Sequence, residues 1–220
     1  MAFSATGPVT SEHTGVASTI TLPMTSNVPV GSTVIAIHGN DSSLVSVSGV
    51  SDSKSNTYGT TQVNSGAGTI SISWGVVGTA LSISSDSVAV ALSGSGDAMA
   101  RAYGFRGLGG TAINSGTVAY TESTTYSLSI NNTSGEEAVM FAAFVFPFDF
   151  GVSDTPSGWT KFSTITDTAD SQVLAFYKEV GSGVNTCSEY VGTDIAYLAA
   201  GFVLPYASST TRRGQVVALF

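Results

Sequence analysis

Charge is what this chain has least of. Only 10% of its 220 residues are Asp, Glu, Lys or Arg, against about 25% in an ordinary globular domain. Amphipathic helices need a charged outer face, so a mainly helical fold is excluded. Seven basic residues stand against 15 acidic ones, for a net charge of −8, and no nucleic-acid partner is expected. The single adjacent basic pair, Arg212-Arg213, reads as a solvated tail or a contact to a carboxylate-bearing neighbour. One cysteine, Cys187, excludes an internal disulfide and a multi-cysteine zinc site. Within "VNTCSEYV" it reads as a buried free thiol. The first residues, "MAFSATGPVT", show neither a basic nor an apolar leader region, so synthesis in a cytosol is expected. The longest apolar stretches, 138–148 and 195–206, are shorter than the roughly 20 residues of a membrane span. No membrane partner is expected.

What the chain does have is Ser, Thr, Gly and a period of two. "TISISWGVV" puts Ile70, Ile72, Trp74 and Val76 on one face and Ser71, Ser73 and Gly75 on the other, the pattern of a half-buried strand. Tyr126, Leu128 and Ile130 alternate in the same way. Such segments recur about every 8–12 residues between Gly- and Ser-rich turns, as in a sandwich or barrel.

The chain also repeats itself. "VSDSKSNTYGT" (50–60) is echoed by "VSDTPSGWTKF" (152–162), and "TITLP" (19–23) by "SLSIN" (127–131). "GSTVIAI" (31–37) matches "EEAVMFAAF" (136–144), Trp74 falls opposite Tyr177, and "AMARAYGF" (98–105) matches "IAYLAAGF" (195–202). The expected fold is an all-β, antiparallel, jelly-roll-like sandwich of about 12–14 strands. Pseudo-repeats at about 18–106 and 125–204 build it, with an arm at 1–17 and a tail or strand at 208–220. Two tandem β-domains are the alternative. The strand in 138–148 is apolar on both faces, so it should be covered on both sides, by this chain or by another subunit. Pro147 marks a strand edge or end. Phe144, Phe146, Phe148 and Phe150 would share one face, as a rim of the core or as an oligomer interface.

Catalytic chemistry is hard to assemble from these residues. No serine sits in a Gly-x-Ser-x-Gly elbow, and His13 and His38 are the only histidines. His38 closes the strand "TVIAIH" and is expected to bond a turn backbone rather than form a dyad with Asp41. Glu136 and Glu137 should point to opposite faces of a strand. "DTAD" (167–170) has too few clustered oxygens for a dedicated calcium loop. No catalytic, cofactor-binding or metal-ligating residue is assigned, and no cofactor is expected. Tyr58 and Trp159 occupy equivalent places in the repeats. They either close the sandwich ends or serve as glycan-stacking platforms.

Several of these motifs together are similar to a class of β-sandwich proteins encoded by tailed bacteriophages. Thr21, Leu22, Pro23 and Gly31 match the pattern in the first half. Pro156, Gly158, Trp159, Thr160, Tyr177 and Lys178 match it in the second. "SDSKSNTY" (51–58) resembles a turn of duplicated members, with Ser55 where glycine is usual and Ser32 where aspartate is usual. The resemblance covers about 18–205 and transfers no catalytic residue. It implies a non-enzymatic virion structural protein, made in the host cytoplasm and bound to the major capsid protein as a decoration or minor capsid protein. It also implies a homo-oligomer. Arg212, Arg213, Val216, Val217, Leu219 and Phe220 would then be contact residues, "QVVALF" either adding to a neighbour's sheet edge or completing its own. The alternative is a tail or head-fibre module that binds host glycan.

Overall fold

A computed structural model describes residues 3–41, 44–66, 68–147, 152–166 and 171–208. Twelve strands, all antiparallel in their pairing, account for the regular structure among them. The first half supplies β1 (Ser4–Pro8), β2 (His13–Pro23), β3 (Thr33–Asn40), β4 (Val47–Asp52), β5 (Gly59–Ser65), β6 (Gly68–Val76) and β7 (Ser87–Arg106). The second supplies β8 (Asn114–Asn132), β9 (Ala138–Phe146), β10 (Thr160–Thr166), β11 (Gln172–Val180) and β12 (Gly183–Pro205).

Each half makes one sheet, and the two sheets share a plan. In the first, β2 pairs β7, β7 pairs β3, β3 pairs β6 and β6 pairs β5. In the second the order is β8-β12-β9-β11-β10. Replacing β2, β7, β3, β6 and β5 by β8, β12, β9, β11 and β10 turns one order into the other. Even the irregularities coincide. β7 advances from Ala91 to Gly96 while β2 moves only from Thr19 to Ala17. β12 advances from Tyr190 to Ile195 while β8 moves only from Thr125 to Ser123. Such bulges bend a strand and increase its twist.

The bends let each long strand pair, β2–β7 and β8–β12, fold back over its own sheet. Leu128, Ile130 and Cys187, beyond the bend, share a cluster with Met140, Phe144, Leu174 and Phe176. Ile20, Leu22, Val88 and Val90 share another with Val34, Ala36, Ala100 and Ala102. Gly201 shows how close this approach is. A Cβ there would strike the Phe141 carbonyl and lie 2.8 Å from Leu128 Cδ2.

The other faces of the two sheets meet each other. Ile35, Ile37, Ile72 and Phe105 pack against Phe141, Val145, Val173 and Phe202. The Phe105 and Phe141 rings stand edge to face at 5.0 Å between centroids, and Trp74 lies 4.3 Å from Phe202. Edge-to-face rings gain from their quadrupoles beyond area burial. Three apolar layers result, and β3 and β9 are buried along their whole lengths. The doubly apolar strand is therefore covered by this chain itself. β9 stops at Phe146, just before Pro147, as a proline without an N–H requires.

Two expectations change. The supposed arm at 1–17 is not an arm, because β1 pairs the end of β7 from Ser4↔Arg106 to Pro8↔Tyr103. Phe3 stacks on Phe105, so this segment belongs to the first sheet. Phe144 and Phe146 are wholly buried against Tyr126, at 4.8 and 5.5 Å between centroids. They leave no ring surface for a second subunit. Phe148 and Phe150 lie outside the described residues, as do Arg212, Arg213, Val216, Val217, Leu219 and Phe220.

Because Phe141 joins the halves, Phe141→Ala should cost about 3–5 kcal/mol, the range for emptying a buried aromatic site. The expected observation is a lower urea midpoint with an unchanged slope.

Candidate functional site

Polar chemistry in the first half gathers where "SDSKSNTY" turns from β4 into β5. Asp52 is the hub. Its Oδ1 accepts from the backbone N–H groups of Lys54 (2.9 Å) and Asn56 (3.1 Å). Its Oδ2 accepts from Asn56 Nδ2 and from the Tyr58 hydroxyl, both at 2.9 Å. Asn56 in turn accepts from the Gly78 and Thr79 N–H groups through Oδ1, at 2.8 and 2.9 Å. Asp86 fastens the other side, accepting from Ser53 Oγ, Lys54 Nζ and the Ser82 N–H. The Ser82 N–H holds the Asp86 carboxyl below the ordinary range, with Lys54 and Ser53 acting the same way. Burial and the Asp52 carboxylate push the Tyr58 phenol far above its usual range. Every group is bonded to the fold, so this knot ties loops and has no base or nucleophile to spare.

Trp159 holds the equivalent place before β10. Its backbone N–H donates to Pro156 O across a turn in which Gly158 has φ +76°. The indole is 8% exposed within the second half's own cluster, with Lys178 Nζ 5.9 Å from the ring centroid. Tyr58 is half-buried, its hydroxyl committed to Asp52 and its ring laid against Gly75. Trp159 belongs to the second half's cluster, and Tyr58 packs against that of the first half. At 8% exposure Trp159 offers a sugar no open face to stack on.

Two other groups depart from expectation. Glu136 and Glu137 precede β9 rather than lie in it, so strand alternation does not separate them. Both line one open cleft of about 460 Å³ with Pro205 and Tyr206. Burial and then a hydrogen bond to Glu179 push the Tyr206 phenol up to about 12. His38 does not bond a turn backbone. It is 1% exposed, and neither ring nitrogen finds a hydrogen-bond partner among the described residues. No His38–Asp41 hydrogen bond forms. Burial, then the neighbouring His13, lowers its pKa to about 4, so the ring is neutral at pH 7. His13 Nε2 is also buried without a partner.

Among the described residues no group of three or more His, Cys, Asp or Glu side chains converges. Cys187 is buried and its thiol is pushed up, by burial first, which keeps it from acting as a nucleophile. Asp167 and Asp170 lie outside the described residues. Comparison with protein-family models, curated proteins and solved structures finds no match.

The knot generates two opposed predictions. Ser55 has φ +59°, a left-handed conformation that costs an L-residue about 1–2 kcal/mol. Ser55→Gly removes that strain and loses part of the gain to unfolded-chain entropy. Thermal unfolding should show a net stabilisation of about 0.5 kcal/mol. Asp52→Ala should destabilise by about 2–4 kcal/mol in the same assay, since it strands several donors at once.

Proposed function

We propose that the protein is a non-catalytic virion structural protein of a tailed bacteriophage, a capsid decoration or minor capsid protein seated on the major capsid shell. The observation that supports this most is what the phage-like motifs do in the fold. Pro156, Gly158 and Trp159 build a turn and a core edge, and "SDSKSNTY" builds the Asp52 knot. These motif residues serve architecture.

The outer surfaces fit the same reading. Beyond its bend the β8–β12 strand pair turns Ser129, Thr186 and Ser188 to solvent, with Ser129 and Thr186 hydrogen-bonded at 2.7 Å. Thr19, Thr21 and Ser51 line the corresponding surface of the first half. A neutral hydroxyl-bearing face approaches a protein neighbour without stripping water from charges, which is the costly part of polar association. Of the two aromatics that the glycan-binding alternative relies on, Trp159 is buried in the second half's cluster and Tyr58 is half-buried with its hydroxyl bonded to Asp52.

Copy number tests the reading. Quantitative mass spectrometry of purified virions should give on the order of hundreds of copies, in simple ratio to the shell protein, as symmetric lattice occupancy requires. A handful of copies would move the protein to a vertex or tail, and its absence from virions would sink the proposal.

A further inference from the structure

The chain contains two histidines, and the fold puts both in one row. His13 of β2 and His38 of β3 are each paired with Ala100 of β7, from opposite sides. Directly paired residues point to the same face of a sheet. That face carries Val34, Ala36, Ala98 and Ala100 of the first half's inner cluster. The second half shows what the scaffold itself asks for there. The corresponding row is Val118, Ala199 and Phe144, with Ala199 paired to both neighbours. The architecture is therefore satisfied by hydrocarbon, and one half has imidazoles instead.

Those imidazoles are left short of partners. Both ring nitrogens of His38 and Nε2 of His13 are buried without hydrogen bonds among the described residues. A buried polar atom left unbonded is costly, so a polar species belonging between the rings would account for both positions. We propose that His13 and His38 form a two-imidazole site for a late first-row divalent metal ion such as Zn²⁺.

Adjacent strands lie about 4.8 Å apart, which sets the two histidine Cα atoms about 10 Å apart across Ala100. The residue paired with both on the middle strand is Ala100, whose side chain is a single methyl group. Each ring can then present a nitrogen at the roughly 2.0–2.1 Å that zinc prefers. Neutral imidazole keeps one lone pair free, and imidazole suits zinc, copper and nickel rather than magnesium or calcium. His38 is enclosed, whereas His13 is half-buried, so the ion and its remaining water ligands enter from the β2 side. The bound ion ties β2 to β3 across β7.

The test is titration of Zn²⁺ into the untagged, chelator-treated full chain, followed by calorimetry and thermal unfolding. One ion per chain should bind saturably and raise Tm by several degrees, as a ligand of the folded state must, while Mg²⁺ leaves Tm unchanged. His13→Val and His38→Phe install the second half's residues, so both variants and their combination should fold. Each single change should weaken Zn²⁺ binding at least tenfold, and the double variant should show no response. Absence of saturable binding to the parent chain overturns the proposal. So does undiminished binding to a double variant whose circular dichroism matches the parent.

Discussion

Everything in this molecule follows from a sheet that is buried on both faces. β3 and β9 have no outward polar side along their lengths, so each half must be covered twice. A single sheet cannot do this, because its own strands lie in one plane. The bent strand pairs β2–β7 and β8–β12 cover one face of each sheet, and the partner half covers the other. Burying both faces moves the water-exposed surface onto strand pairs with Ser and Thr at many outer positions, such as Thr19, Thr21, Ser129, Thr186 and Ser188, which helps a chain so poor in charge to solvate itself. It also removes the distinction between one sandwich and two domains. Each half has a cluster of its own, and both share a third.

Much of this was legible in the sequence because strand alternation and repetition are local signals. The match of Trp74 to Tyr177 survives, since Ile35 pairs Trp74 where Phe141 pairs Tyr177. The match of 98–105 to 195–202 does not. Ile35 pairs Tyr103, and Phe141 pairs Phe202, so Tyr103 corresponds to Phe202 rather than to Ala200. The slip is two residues, and a period of two conceals it, because inward positions still face inward. The arm at 1–17 was misread for a related reason. β1 is short and mostly exposed, so it carries no alternation, and only the distant Arg106 end of β7 makes it a strand.

The candidate sites show the same division. The turn around Asp52 could be recognised from its residues, since its hydrogen bonds mostly span a few positions, while the burial of Trp159, 8% exposed, could not be read from the sequence. The histidine row was invisible. His13 and His38 are 25 residues apart in sequence and meet through a third strand, so no spacing rule finds them. The internal repeat gives such a row a reference within the same molecule, because the other half records what the backbone tolerates at the same places.

The two halves also differ in when they come into being. All strands of the first sheet lie between Ser4 and Arg106, so it can close while the rest of the chain is still being synthesised, domain by domain from the N-terminus. Its partner closes late, since β8 must wait for β12, which ends at Pro205. Through that interval the face bearing Ile35, Ile37 and Phe105 has nothing from its own chain to lie against. A second chain at the same stage of synthesis would present the same bare face. The speed of translation through the second half therefore governs how long two chains can mistake each other for one.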